Sequence, residues 1–150
     1  RAPRLGAAEV TLRITRAALD AAEAHARAGY PHEVTGILAG DRGSWTVTEV
    51  AALHNERSDS PHNRYQVSGL ALQRASDALE ARGLEIVGYY HSHPDHPADA
   101  SETDRDHAWP AMAYPILSVR DGVVADLKCW RLRDDRSAMD EEPVQITEER

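Results

Sequence analysis

Residues 91–104, HSHPDHPADASETD, concentrate side chains that can bind a metal ion. His91 and His93 are two positions apart, and Asp104 follows eleven residues after the second histidine. Successive side chains of a β-strand point to opposite faces, so an H-x-H pair at a strand end places both imidazoles on one face. Asp104 follows a loop that reverses the chain and can face back toward them. Two histidines and one carboxylate form the ligand set of a catalytic zinc site, whose fourth position is left for water.

Peptide hydrolysis at such a site also needs a base and an oxyanion donor. The base takes a proton from water and returns it to the leaving amine. Glu33 is the candidate, because it precedes an apolar segment, VTGILAG, where a charged residue needs a reason. Ser101 is close enough in sequence to Asp104 to supply the polar donor that stabilises the oxyanion. A structural zinc would normally take four protein ligands, usually with cysteines, and this chain contains only Cys129.

Each of these residues also has an ordinary structural explanation. Two histidines at a strand end are more often surface residues or part of a hydrogen-bond network. Ser101 and Asp104 fit the N-cap and the first turn of a short helix without any catalytic role. Glu33 could be a solvated charge at a strand end, and His32 and His96 are left without an assigned role.

Apolar periodicity, helix formers and turn residues predict the elements that must position this site. We expect strands over 10–15, 34–40, 44–53, 84–93, 114–120 and 123–133, and helices over 16–27, over 69–82 and from 102 onward. Ser68 is the expected N-cap of the second helix, and residues 54–64 are an expected loop. Strands and helices mix without a repeating βαβ unit, which predicts a single α/β (α+β) domain with a mixed β-sheet flanked by helices.

Charge and composition limit the cellular setting and the partners. The net charge is −8, from 25 acidic and 17 basic residues, which argues against a nucleic-acid surface. Part of the acidity lies in residues 134–150, which we expect to form a solvated, loosely ordered tail after a domain over 1–133. No apolar run is long enough for a membrane span, and the first residues contain no apolar signal-peptide core. One cysteine fits a reducing compartment, so we expect a cytoplasmic protein.

The spacing of the motif resembles that of a known family. His91-Ser92-His93-Pro94, six residues, Ser101, two residues and Asp104 resemble the H-x-H-P-x6-S-x2-D signature of the JAMM/MPN (Mov34/MPN/PAD-1) metalloproteases. The upstream EVTGILAG is similar to the E-x-x-G-x-L-x-G segment of that family, and NRYQVSGLALQRASDALEARGLEIVGYYHSHP is similar to its bacterial stand-alone branch. The resemblance covers roughly residues 10–133.

The resemblance implies a JAMM/MPN-like fold and a role for each motif residue. His91, His93 and Asp104 would bind Zn²⁺, Glu33 would activate the water, and Ser101 would help to stabilise the tetrahedral intermediate. The implied substrate is a ubiquitin-like protein, in the bacterial branch a sulfur-carrier protein with a Gly-Gly tail. The leaving group stays open between cysteine, another amino acid and a protein extension.

Three other functions were weighed against a metallopeptidase. A catalytically silent MPN-type scaffold that binds protein partners is the main alternative, and the intact set of motif residues argues against it. A zinc deaminase needs two closely spaced cysteines, and this chain has one. The HExxH string of another class of zinc proteases is absent.

Overall fold

The computed structural model describes residues 10–53 and 69–148, and in them eight strands and three helices form a mixed α/β fold. This confirms the predicted fold class, whereas the predicted 54–64 loop and the Ser68 N-cap lie outside the described residues. The strands are β1 (Leu12–Thr15), β2 (Thr35–Asp41), β3 (Thr46–Leu53), β4 (Glu85–Pro94), β5 (Tyr114–Arg120), β6 (Val123–Leu132), β7 (Met139–Glu142) and β8 (Val144–Thr147). The helices are α1 (Arg16–Gly29), α2 (Gly69–Ala81) and α3 (Glu102–His107).

All eight strands belong to one sheet with the order β7-β6-β5-β4-β2-β3-β1-β8. β2–β3 and β5–β6 are antiparallel hairpins, while β4 and β5 run parallel. The β5–β6 turn is formed by Asp121 and Gly122, both with positive φ, as the tight hairpin turns that match strand twist require. β2 and β4 pair antiparallel in the middle of the sheet, and this pair leads into the candidate site.

The helices cover both faces of the sheet. Thr15 caps α1, because its hydroxyl accepts a hydrogen bond from the Ala18 N–H at 3.1 Å. The apolar side of α1, which includes Leu19, packs into the larger core beside Tyr90. On the opposite face, Leu79 of α2 packs against Ile37 and neighbouring side chains. No helix in the described parts of the chain has the length and apolar character needed to cross a membrane.

The tail after residue 133 joins the two edges of the sheet, so the prediction of a loosely ordered tail is wrong over residues 139–147. β7 pairs with β6 at one edge, β8 pairs with β1 at the other, and only Pro143 separates the two strands. The sheet must therefore curl until its edges meet, and the Leu12 N–H donates to the Pro143 carbonyl at 2.9 Å. The domain boundary at residue 133 stays a prediction.

A buried carboxylate anchors this closure. Glu142 is only 4% exposed, and it accepts hydrogen bonds from Trp45 Nε1 at 2.7 Å and from Arg131 Nε at 2.9 Å. The Arg131 guanidinium also lies 4.3 Å from the centre of the Trp45 ring. Burial raises the pKa of Glu142, although its hydrogen bonds to Trp45 and Arg131 act in the opposite direction. Trp45 is 97 positions from Glu142 in sequence, which is why the acidic composition of the tail was misleading.

Replacing Glu142 with alanine should weaken the closure of the sheet. Arg131 and Trp45 would lose their partner in a buried setting, which we expect to lower the free energy of unfolding by about 2–3 kcal/mol. For a chain of this size that corresponds to a fall in Tm of roughly 5–10 °C. Urea and thermal denaturation measure both quantities. Glu141→Ala, an exposed neighbour on the same strand, is the control and should change stability by less than about 0.5 kcal/mol. Equal effects of the two substitutions would show that Glu142 anchors nothing.

Candidate metal centre

The end of β4 places two histidines on the face of the sheet opposite α1. Tyr90 points into the core beneath α1, so the alternation of the strand turns His91 and His93 to the other side. Their Nε2 atoms lie 3.3 Å apart, and the two side chains are almost fully buried. The structure therefore brings together the two imidazoles that the H-x-H spacing predicted on one face of the strand.

The start of α3 supplies the carboxylate. Ser101 is the N-cap, and its hydroxyl accepts from the Asp104 N–H at 3.0 Å. In return the Ser101 N–H donates to Asp104 Oδ2 at 2.8 Å, which completes a capping box. The same carboxylate faces the histidines, with Oδ1 at 3.2 Å from His91 Nε2 and Oδ2 at 3.2 Å from His93 Nε2.

The spacing of the two imidazoles fits a tetrahedral metal ion. Zinc bound at about 2.0–2.1 Å in tetrahedral geometry separates its ligand atoms by about 3.3–3.4 Å. The two imidazole Nε2 atoms lie 3.3 Å apart, and one ligand atom from each of the three residues lies within 4.8 Å of the other two. Nitrogen and oxygen donors of this kind are the ones that zinc takes in catalytic sites. His91, His93 and Asp104 can thus hold a metal ion.

A backbone carbonyl orients His93. Its Nδ1 lies 2.8 Å from the Pro97 carbonyl oxygen, which can only accept, so Nδ1 carries a proton and Nε2 is the ring nitrogen that faces Asp104. Burial lowers the pKa of His93, but the hydrogen bonds to Asp104 and Pro97 and the charges of Asp104 and Glu33 outweigh it and raise the pKa. The loop after β4 is thus part of the arrangement of the site.

Glu33 reaches the edge of the cluster through the pairing of β2 with β4. Thr35 lies opposite His91, and the next backbone contact is the Ser92 N–H donating to the Val34 carbonyl at 3.1 Å. The Val34 N–H donates to Ser92 Oγ at 2.9 Å, which ends the regular ladder. Continuing this register places Glu33 beside His93, where it is half-buried and outside the group of potential ligands.

The remaining candidate residues, Ser101, His96 and His32, are exposed to solvent. Ser101 is exposed, and accepting the hydrogen bond from Asp104 leaves its O–H proton available to donate to a bound molecule. His96 and His32 are exposed and lie outside the ligand group.

Several supporting contacts were not predicted from the sequence. Trp130 Nε1 donates to the Ala98 carbonyl at 2.9 Å and holds the loop between β4 and α3. Arg136 of the tail donates to the Ala108 and Asp106 carbonyls, at 3.0 and 3.3 Å, and so caps the end of α3. The contact of Ser92 with the Val34 N–H was also missed, although the sequence contained a signal for it. Strand alternation turns the residue between two histidines to the opposite face of the sheet. For Arg136 no local signal exists, because its partners are distant in sequence.

Comparison with known proteins shows similarity to one family. A model of the prokaryotic homologs of the JAB domain matches residues 15–133. The desampylase of Haloferax volcanii is 38% identical over 106 residues, which are 67% of this chain and 76% of that protein. The CysO-cysteine peptidase of Mycobacterium tuberculosis is 34% identical over 133 residues, 87% of this chain and 88% of that protein.

Solved structures have the same fold. The solution structure of a Salinibacter ruber protein is 37% identical, with a TM-score of 0.71 over 90% of this chain and 91% of that one. A JAB1/MPN domain protein of Archaeoglobus fulgidus is 18% identical, with a TM-score of 0.59 over 91% of this chain and 99% of that one. At that identity the second likeness concerns the fold alone.

Removing one imidazole should remove the metal. We expect the wild-type protein to bind about one zinc ion per chain and His93→Ala to lose it, because two remaining ligands cannot complete the set. Dialysis followed by elemental mass spectrometry measures the stoichiometry. His96→Ala, a nearby exposed histidine, should retain the metal. Full zinc occupancy in His93→Ala would mean that the ligand assignment is wrong.

Proposed function

Because this chain belongs to the prokaryotic branch of the JAMM/MPN metalloprotease family, we propose that it is a zinc-dependent peptidase acting on a ubiquitin-like sulfur-carrier protein. The bond hydrolysed is the peptide or isopeptide bond after the Gly-Gly tail of the carrier. The observation that carries this proposal is the buried group of His91, His93 and Asp104, whose potential ligand atoms lie within 4.8 Å of one another, with Glu33 beside it.

The three ligand residues define what the metal would contribute. His91, His93 and Asp104 would hold zinc, which when bound lowers the pKa of a water molecule to about 7 and polarises a carbonyl group. The Pro97 carbonyl keeps His93 in the tautomer that presents Nε2. The capping box fixes the Asp104 carboxylate on the same side. Because backbone and helix-cap contacts hold these ligands, little reorganisation is needed before the reaction.

Glu33 is the proposed general base. It takes a proton from the attacking water and delivers one to the leaving nitrogen as the C–N bond breaks. The oxygen of the water stays on the carbonyl carbon of the glycine, which leaves with a free carboxylate. The position of Glu33 beside His93, outside the ligand group, supports this role over that of a fourth ligand.

Ser101 is the proposed oxyanion donor. Its hydroxyl uses a lone pair to cap α3, and the O–H proton is directed to the substrate carbonyl as negative charge develops there. Capping and catalysis therefore use different parts of the same group. The exposure of Ser101 allows a substrate to reach it.

The proposed substrate class follows from the relatives and from the shape of an extended tail. One relative is named a desampylase, another a probable TtuB-protein conjugate cleaving protease, and a third a CysO-cysteine peptidase. We infer a small carrier protein whose thin Gly-Gly tail enters the site, since an extended peptide can lie along the edge of a sheet. We place this reaction in the cytoplasm, where the single cysteine fits a reducing environment.

Substitution of the base tests the mechanism. Glu33→Ala should keep zinc and lower the hydrolysis rate by about 10²–10⁴-fold, because the base is not a ligand. Mass spectrometry of a Gly-Gly-tailed sulfur carrier with a C-terminal extension measures the release of the extension. A chelator should abolish it in the wild type. Glu23→Ala, a half-buried glutamate on α1 across the sheet, is the matched control and should cleave normally.

The outcomes separate the parts of the proposal. Cleavage at the native rate by Glu33→Ala would disprove the role of the base. Zinc binding without release of the extension would leave the metal site standing and point to a different substrate. Wild-type protein that takes up no zinc would favour the catalytically silent scaffold.

A further inference from the structure

A pocket of about 260 Å³ opens beside the proposed oxyanion donor. Its walls include Ser101 and Arg105 of the α3 segment, Trp130 of β6 and residues 137–139 of the tail. This is slightly smaller than the roughly 300–1,000 Å³ of pockets for drug-sized ligands, and it suits a single amino-acid residue. The nearby metal centre does not use this space.

The pocket places a cation one helical turn from the proposed oxyanion donor. The Arg105 N–H donates to the Ser101 carbonyl at 3.0 Å, so the two residues are separated by one helical turn. Residues four positions apart lie on the same side of a helix. A molecule whose carbonyl group contacts the Ser101 hydroxyl can therefore extend along the pocket toward the Arg105 guanidinium.

The guanidinium of Arg105 is loosely paired compared with other arginines of the protein. It forms ion pairs with Asp106 at 3.5 Å and with Glu102 at 3.8 Å, and both carboxylates are largely exposed. By contrast, Arg82 and Arg133 bind carboxylates at 2.6–2.7 Å and 2.9 Å. Short, bidentate contacts to a carboxylate are the geometry that arginine favours. Arg105 can take up such a contact from a ligand by giving up only weak surface pairs.

We propose that this pocket binds the residue released by hydrolysis and that Arg105 binds the α-carboxylate of that residue. This inference rests on the function proposed above, because a Gly-Gly tail has no side chains before the scissile bond. Since the two positions before that bond carry no side chain, the pocket next to Ser101 suits the residue that follows the bond. A carboxylate is present at that position only when the residue is the C-terminus of the substrate. The site therefore selects carriers extended by one amino acid over carriers joined to a lysine of another protein.

A pair of substrates that differ only in the terminal charge tests this selection. A semisynthetic sulfur carrier ending in Gly-Gly-Ala is prepared with a free carboxylate and with a carboxamide. The wild-type enzyme should cleave the acid with a kcat/KM about tenfold or more above that of the amide, as expected for one charge-assisted bidentate contact. Arg105→Gln should lower the rate for the acid to that for the amide, with zinc content and the amide rate unchanged.

Two further variants separate binding of the carboxylate from a structural effect on α3. Arg105→Lys keeps the charge without the planar fork and should retain part of the preference for the acid. Arg27→Gln, an exposed arginine on α1 across the sheet, should keep the full preference. If Arg105→Gln slowed the acid and the amide equally, Arg105 would have a structural role only.

The failure of this inference differs from the failure of the proposed function. Equal cleavage of acid and amide by the wild type overturns the role of Arg105 and leaves the peptidase standing. If the enzyme cleaves neither the acid nor the amide, calorimetric titration of the zinc-loaded Glu33→Ala variant with each carrier measures whether the pocket binds the carboxylate. Tighter binding of the acid, lost in Glu33→Ala/Arg105→Gln, supports the pocket. Equal binding, or none, overturns it.

Discussion

The antiparallel register between β2 and β4 determines which side chain stands beside the two histidines. Thr35 opposite His91 brings Glu33 to His93, and a slip of one residue would turn Glu33 to the other face of the sheet. Gly36 makes this register possible, because the Tyr90 ring crosses it and a Cβ there would overlap the ring. His25 of α1 lies 2.6 Å from the Tyr90 hydroxyl, so the core helix supports the same arrangement.

The second constraint is the closure of the sheet by the tail. A sheet with exposed edges presents unpaired backbone groups, and here one continuous segment covers both edges. The contact of Glu142 with Trp45 and Arg131 fixes this segment on the body of the protein. Arg136 then binds the tail to the end of α3, the helix whose first turn contains Asp104, the proposed metal-binding carboxylate. Over its described residues, the tail thus contacts the helix of the candidate site and contributes none of the three potential ligands.

How much the sequence predicted depends on the range of the interactions involved. Strand alternation at His91 and His93 and the capping pattern at Ser101 are local, so the residue types alone indicated their geometry. β7 contains three acidic residues, which are poor strand formers, and although it pairs with the preceding strand β6, its Glu142 is held by Trp45, 97 positions away in sequence. The position of Glu33 is intermediate: local sequence places it just before an apolar strand, but only the β2–β4 register brings it to His93.

The capping box links the stability of α3 to the chemistry proposed for the site. Burying the Asp104 carboxylate would cost free energy without partners, and the Ser101 N–H and the two imidazoles provide them. Since Ser101 and Asp104 hold each other, the proposed oxyanion donor cannot shift without moving the proposed metal ligand. The distance between these two proposed functions is therefore set by one helical turn with two reciprocal hydrogen bonds. A loop of equal length would leave that distance variable, which is why the short helix matters more than its six residues suggest.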